Sequence, residues 1–269
     1  MTVSNGESTL LLDGEEIHVC QDGPRDAPAF LLVHGTAAAA RSWEPIVPLL
    51  SGSHHVVRID LLGCGRSARP AGASYAVEDQ ARRAASALDR LGVAPVVAVG
   101  HSSGGIVVTA LAERRPDLVT GAVLVNTGPD MAAYIAKEIP LREVSWAELT
   151  DDQIRLAMTD GFAPGFVIPQ AFVDQFRDID FAVFAATSQA VPAYLDERSL
   201  PDRLAPLAKP LLVLFGEEDR RWRPSSADGY RVVPGATVRM LPGLGHSPNL
   251  EDPARTADLL LAFAADHAG

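Results

Sequence analysis

The sequence predicts an α/β fold in which a mostly parallel sheet is covered by helices on both faces. Short apolar runs without polar alternation recur along the chain, amphipathic helical stretches separate them, and most of the runs end at a glycine or a polar residue. Runs of this kind are typical of strands buried on both faces, as in parallel sheets. The alternation of strand and helix favours right-handed crossovers.

Five of these runs are predicted strands. They are Ala29–Val33 before His34, His55–Ile59 before Asp60, Val96–Val99 before Gly100, Ala122–Val125 before Asn126, and Leu211–Phe215 before Gly216. Helices are predicted at Val77–Leu91, Gly105–Arg115 and Pro253–Ala265, where apolar residues recur at helical spacing. At the start of the chain, Ser8–Leu12 and Glu16–Cys20 flank Asp13-Gly14, which predicts an antiparallel hairpin at one edge of the sheet.

The alternation stops between residues 128 and 206. This stretch is predicted to be helical, it is broken by prolines, and it carries most of the phenylalanines, including Phe162 and Phe166. We therefore expect residues 1–127 and 207–269 to form one core domain. Residues 128–206 are expected to form a helical cap over the active-site face, inserted into that domain.

Composition and charge exclude several classes of function. The formal net charge is −11 and no basic stripe is present, which argues against nucleic-acid binding. No stretch approaches the roughly 18 apolar residues of a membrane span, and residues 1–7 do not resemble a signal peptide. A cytoplasmic monomer or homodimer acting on a small molecule is expected. Cys20 and Cys64 form no disulfide framework and show no metal-ligand spacing, so neither a metal nor a cofactor is predicted.

A glycine motif between a predicted strand and a predicted helix points to a nucleophile. Its residues are Gly100-His101-Ser102-Ser103-Gly104-Gly105. Small residues on either side of a serine let a strand and a helix pass closely, so that the serine stands on a sharp, strained turn. Ser102 is therefore the predicted nucleophile.

A serine needs a base, and the base needs a carboxylate that orients it. His246 lies in a Gly/Pro-rich loop before the last helix and is the predicted base. Asp219, after the fifth apolar run, is the predicted acid. Glu217 and Glu218 are alternatives beside it, and Asp130 is a more distant one.

An acyl-transfer site also needs donors for an oxyanion. The backbone N–H groups of Ser103 and Thr36 are predicted to supply them. His34, just before Gly35 at a strand end, could be a second catalytic histidine, but this position favours a role in shaping the loop.

Together these segments resemble the α/β-hydrolase superfamily, in the branch of small bacterial esterases, lactonases and perhydrolases. The resemblance rests on His34-Gly35 with Trp43, on Asp60-Leu61-Leu62-Gly63-Cys64-Gly65-Arg66-Ser67, on the Ser102 motif, on Gly216-Glu217-Glu218-Asp219 and on Gly245-His246-Ser247-Pro248. It implies an α/β-hydrolase fold with an eight-stranded, mostly parallel sheet and a helical cap after the sixth strand. It also implies a two-step acyl-enzyme mechanism.

The expected function is hydrolysis of a carboxylic ester, lactone or thioester of a small, partly apolar substrate. The same triad could serve acyl transfer, perhydrolysis or C–C cleavage, and a ligand sensor with slow turnover is a further alternative. The candidate substrate-binding residues are His34, Trp43, Phe162, Phe166 and Trp222. Arg220, Arg221 and Arg223 follow the acid, and one of them is a candidate for binding a substrate carboxylate.

Overall fold

The protein is built on one eight-stranded sheet, seen in a computed structural model that describes residues 6–136 and 148–267. The spatial order of the strands is β1-β2-β4-β3-β5-β6-β7-β8. Their bounds are β1 Gly6–Leu12, β2 Glu15–Asp22, β3 Ala29–Val33, β4 His55–Ile59, β5 Val96–His101, β6 Val119–Val125, β7 Leu211–Gly216 and β8 Ala236–Leu241. The pairs β1–β2 and β2–β4 are antiparallel, and every other neighbouring pair is parallel.

Helices connect the parallel strands and cover both faces. The α-helices are α1 Val47–Leu50, α2 Val77–Leu91, α3 Ser103–Arg114, α4 Asp151–Met158, α5 Gln170–Arg177, α6 Phe181–Glu197, α7 Leu200–Leu204, α8 Pro248–Glu251 and α9 Pro253–His267. Short 3-10 helices lie at Ala40–Trp43, Met131–Ala133, Thr159–Gly161, Ala205–Leu207 and Pro224–Val232. None of these helices is long and apolar enough to cross a membrane.

The predicted fold class is confirmed. The predicted bounds of β3, β4 and α2 match the structure residue for residue, and α2 ends where predicted because Gly92 takes the left-handed conformation with φ 66°. The other predicted elements are present with ends that differ by a few residues. The predicted hairpin is β1–β2, with the Asp13-Gly14 turn at positive φ.

The buried apolar side chains form two layers, one on each face of the sheet. The larger layer packs α2, α3 and α7 against the sheet, and the smaller one packs α1 and α9. Strands β3 to β7 are buried almost throughout, as the unbroken apolar runs require.

The chain between β6 and β7 contributes helices α4 to α7 and has a small apolar core of its own. Ile154, Phe162, Ile168, Val173 and Phe176 are buried there. The predicted cap, residues 128–206, includes this part of the chain, although residues 137–147 lie outside the described residues. These buried side chains come from α4, α5 and the turns beside them, and Ala37 and Leu250 from outside the segment pack against them. The segment therefore rests on the carboxyl end of the sheet.

Candidate active site

Ser102 stands on a strained turn between β5 and α3. Its backbone has φ 54° and ψ −125°, a conformation that residues other than glycine rarely adopt. Its N–H donates to the carbonyl of Val125 at 2.9 Å, which anchors the turn to β6. A Cβ at Gly100 would overlap the backbone of Gly104, and one at Gly104 would overlap the carbonyl of Val33. The two glycines therefore permit the close packing that exposes Ser102 at the end of the sheet.

Asp219 and His246 form a buried pair at the same end of the sheet. Asp219 Oδ2 lies 2.9 Å from His246 Nδ1, and both residues are less than 5% exposed. The remaining lone pairs of the carboxylate are used by Asn126 Nδ2, at 2.7 Å from Oδ2, and by the N–H groups of Arg221 and Trp222, which donate to Oδ1. Sequence reasoning missed Asn126 as a functional residue. Its position directly after β6, at the carboxyl end of the sheet, could have indicated that it lies in the site.

The electrostatics of the pair favour an ionised carboxylate. Burial by itself would raise the pKa of Asp219, but the charge of His246 and hydrogen bonds from His246, Asn126 and Trp222 outweigh burial and lower it. A carboxylate that stays charged here holds the proton on His246 Nδ1. This leaves Nε2 of His246 as the acceptor.

His101, immediately before the serine, connects the nucleophile turn to the histidine loop. Its Nε2 lies 2.7 Å from the carbonyl oxygen of His246, and the two rings are 5.0 Å apart between centroids. Burial, with a further contribution from the charge of His246, lowers the pKa of His101 to about 3. A neutral His101 therefore donates to this carbonyl and holds the backbone of His246 beside the Ser102 turn. In the described part of the chain, Ser102 Oγ makes no hydrogen bond to His246, and catalytic hydrogen bonds are often loose before substrate binds.

The two predicted oxyanion donors lie side by side. Gly35 brings the loop after β3 against Ser102, where a Cβ on Gly35 would be 3.0 Å from the Ser102 Cβ. The Thr36 N–H donates to Ser103 Oγ at 2.7 Å, and the Thr36 and Ser103 hydroxyl oxygens are 2.9 Å apart. The Thr36 N–H is thus occupied by the Ser103 hydroxyl, a side-chain contact that sequence reasoning did not consider.

One known protein family matches most of the chain. The sequence model of the Alpha/beta hydrolase family matches residues 30–259, which include Ser102, Asp219 and His246. The chain belongs to this family.

Relatives of this alpha/beta hydrolase cover nearly its whole length. Lipase 1 of Psychrobacter immobilis is 26% identical over 269 residues, which cover 96% of this chain and 83% of that protein. The enol-lactonase from Burkholderia xenovorans LB400 superposes with a TM-score of 0.82 at 24% identity, over 96% of this chain and all of that one. A membrane phospholipase A superposes with a TM-score of 0.82 at 25% identity, over 98% of this chain and 87% of that one.

In this alpha/beta hydrolase, Glu251 ties the histidine loop to the helical segment. Its Oε2 accepts the N–H groups of Gly245 and Ala163, and its Oε1 accepts the N–H of Ser247, each at 2.9 Å. The Ser247 hydroxyl adds a bond to the carbonyl of Gly161 at 2.7 Å. One carboxylate therefore holds both neighbours of His246 and one turn of the helical segment.

Replacing Glu251 by Gln is expected to lower the free energy of unfolding by about 1–3 kcal/mol, because an amide nitrogen would face at least one buried N–H and leave it unpaired. Urea unfolding followed by circular dichroism measures the change. The matched control is Glu217→Gln, since Glu217 is exposed on the loop after β7 and its substitution removes the same charge. Equal stability of the two variants would contradict the assigned role of Glu251.

The buried histidines predict a loss of stability in acid. Burial lowers the pKa of His34 and of His101, the latter from 6.5 to about 3. A histidine whose folded pKa lies below its unfolded pKa takes up a proton on unfolding, so its contribution is complete above about pH 6.5 and falls as the pH drops toward 3. For His101 we expect the free energy of unfolding to be about 2 kcal/mol lower at pH 5 than at pH 7. Urea unfolding of wild type and His101→Gln at both pH values measures it, and an unchanged pH dependence in the variant would refute it.

Two of the predicted substrate contacts lie away from the cavities beside the sheet, and their role stays a prediction. Trp43 is fully buried in the layer that packs α1 and α9 against the sheet. Trp222 is 3% exposed and packs against Gly128 and Tyr134, and it serves the site through its backbone N–H to Asp219. Neither side chain lines the two cavities described below.

The other three candidates are placed differently. His34 is buried, with Nδ1 bonded to the carbonyl of Gly35 and Nε2 accepting the N–H of Leu61, so it shapes the loop that carries Thr36. Phe162 and Phe166 stack at 4.9 Å within the core of the helical segment. A Cβ on Gly245 would overlap the backbone of Phe162 and Ala163, so this turn touches the histidine loop through its main chain.

Two cavities lie between the sheet and the helical segment. The smaller, of about 30 Å³, is lined by Thr36 and Ser103 and by apolar side chains that include Tyr75, Ala190 and Val191. The larger cavity, of about 350 Å³, adjoins the smaller one at Cys64 and Thr187, which line both. Neither of the two is lined by Arg220, Arg221 or Arg223, so the binding of a substrate carboxylate by these arginines stays a prediction.

Proposed function

We propose that this chain is a serine hydrolase that cleaves a carboxylic ester, lactone or thioester through an acyl-enzyme on Ser102. The observation that carries the proposal is the joint placement of a serine at positive φ and a buried Asp219–His246 pair, linked by the His101 contact. A nucleophile, a base and a carboxylate that orients the base are the parts that acyl transfer requires.

In the first half-reaction, Ser102 Oγ attacks the substrate carbonyl carbon while His246 Nε2 takes the hydroxyl proton. Asp219 stabilises the resulting imidazolium through its bond to Nδ1. The carbonyl oxygen becomes an oxyanion, which replaces the Ser103 hydroxyl on the Thr36 N–H and also binds the Ser103 N–H. His246 then returns its proton to the leaving alkoxide or thiolate as that bond breaks.

In the second half-reaction, His246 takes a proton from water, which attacks the acyl carbon. The acid leaves and the proton returns to Ser102 Oγ. We infer that residues 128–206 act as a cap in this cycle, because α6 contributes Ala190 and Val191 to the cavity beside Ser103.

The surroundings of the oxyanion loop favour a substrate with an apolar group. Tyr75, Ala190 and Val191 line the small cavity next to Thr36 and Ser103. The cavity is small, at about 30 Å³, so it fits a small apolar group better than a long acyl chain. The names of the relatives, a lipase and an enol-lactonase, are compatible with such an ester or lactone.

A fluorophosphonate probe tests the proposal directly, because it phosphonylates only a serine that is activated by a base. We expect one label per chain, on the peptide that contains Ser102, together with turnover of short p-nitrophenyl esters. A label on another residue would overturn the site. Tight ligand binding without turnover or labelling would instead favour the ligand-sensor alternative, and products with a second acceptor in place of water would favour acyl transfer.

A further inference from the structure

Three side chains with metal-binding atoms meet on one face of the β1–β2 hairpin. The strand register places Glu7 opposite Cys20 and Thr9 opposite His18. Because side chains two residues apart on a strand share a face, His18 and Cys20 point to the same side. One ligand atom from each of Glu7, His18 and Cys20 lies within 4.8 Å of the other two, so an oxygen, a nitrogen and a sulfur converge.

His18 is oriented as a metal ligand would be. The residue is only 3% exposed, and its Nε2 is buried without a hydrogen-bond partner among the described residues. That atom lies 3.8 Å from Glu7 Oε2, while Nδ1 lies 3.2 Å from Asp60 Oδ2 and 3.9 Å from Cys20 Sγ. A carboxylate beside Nδ1 favours the proton there and leaves a lone pair on Nε2, as in metal-bound histidines. An unpaired buried nitrogen of this kind needs an explanation.

The three residues also lie beside a cavity. All of them line the cavity of about 350 Å³, whose other walls come from the loops after β3 and β4 and from α5 and α6. Three protein ligands and a fourth position open to a cavity are typical of zinc sites that bind water or a small ligand.

We propose that Glu7, His18 and Cys20 bind a divalent transition-metal ion, with zinc as the ion of best fit and with water from the cavity as fourth ligand. A thiolate, an imidazole and a carboxylate together suit an ion of intermediate softness. Calcium and magnesium, which take oxygen ligands, do not match this set.

A nearby charge and the burial of the thiol both oppose metal binding. Arg66 pairs with Glu7, but this ion pair is well exposed and therefore contributes little. Burial raises the pKa of the Cys20 thiol to about 11, against the opposing effect of Arg58. On binding, the S–H bond breaks, a sulfur–metal bond forms, and the proton passes to the solvent.

Cobalt(II) titration of the metal-free protein tests the proposal, since cobalt replaces zinc in such sites and a thiolate ligand gives a charge-transfer band in the near ultraviolet. We expect one equivalent to bind and the band to appear. Cys20→Ser should abolish the band, and the matched control Cys64→Ser should keep it. Zinc should compete the cobalt away and raise the melting temperature of the wild type.

A second variant separates loss of the metal site from loss of the fold. Glu7 is exposed on an edge strand, so Glu7→Gln should fold normally, as circular dichroism would verify. It should bind cobalt at least about tenfold more weakly. Removing even a residue that only hydrogen-bonds to a metal ligand causes a loss of this size. The proposal fails if the wild type gives no band, if Cys20→Ser retains it, or if Glu7→Gln binds as tightly as the wild type.

Discussion

Ser102→Ala is expected to lower kcat for ester hydrolysis by about 10⁵- to 10⁶-fold, the largest effect of any single substitution in this protein. The loss is that large because no covalent intermediate can form and the Asp219–His246 pair has no hydroxyl to activate. What remains should come from the oxyanion donors and from binding alone. Turnover of a p-nitrophenyl ester, together with fluorophosphonate labelling, measures both the rate and the site.

The fold should survive this substitution. Ser102 Oγ makes no hydrogen bond within the described part of the chain, and the turn is held by the backbone bond to Val125. Alanine meets the same strain at φ 54° as serine does, so the melting temperature should change little. Ser225→Ala, on an exposed position far along the chain, is the matched control and should keep full activity. Residual activity in Ser102→Ala above about 1% would place the nucleophile elsewhere.

Asp219→Asn is expected to lower kcat by about 10⁴-fold while leaving the pocket in place. The oxygen of the new amide would face the N–H groups of Arg221 and Trp222, because both are donors. Its NH₂ group would then face His246 Nδ1 and require a lone pair there, and it would also deprive the Asn126 NH₂ group of its acceptor. The histidine would carry its proton on Nε2, the wrong nitrogen for accepting the proton of Ser102.

The alternative acids supply the controls for this experiment. Glu217 and Glu218 are exposed, and Asp130 caps the short helix Met131–Ala133 through the N–H of Ala133. Glu218→Gln and Asp130→Asn should therefore stay within about threefold of wild-type kcat, as surface or capping changes do. Steady-state kinetics with one ester decides between the acids. A large loss in either control, or a small one in Asp219→Asn, would reassign the carboxylate.

Much of this architecture could be read from sequence because it depends on local patterns. Unbroken apolar runs identified β3 and β4, helical spacing and Gly92 bounded α2, and the small residues around Ser102 marked the turn. In each case the residues that determine the bounds of a strand, helix or turn lie within that element or next to it. Ser102, Asp219 and His246 each follow a predicted or observed strand. Because the carboxyl ends of parallel strands meet at one edge of the sheet, their positions along the chain predicted that they lie close together.

The features that sequence reasoning missed all depend on contacts between distant parts of the chain. Asn126 supports Asp219 across 93 positions, and Ser103 holds the amide of Thr36 across 67. Trp43 was predicted to contact substrate. Its burial depends on how α1 and α9 pack against the sheet, and no local sequence pattern indicates that packing. The spacing of the cysteines along the chain predicts no metal site, whereas strand pairing places Glu7 opposite Cys20.

The three bonds of Glu251 have a consequence for how a substrate reaches the nucleophile. Ala163 in the helical segment and Gly245 beside the base share one carboxylate oxygen, so these two parts of the protein form a single mechanical unit. We expect a displacement of Ala163 to shift the backbone beside His246 as well, because both depend on Glu251. A displacement of α6 near Tyr75, at the small cavity, would leave these contacts intact. The bonds of Glu251 therefore make the two borders of the segment mechanically unequal.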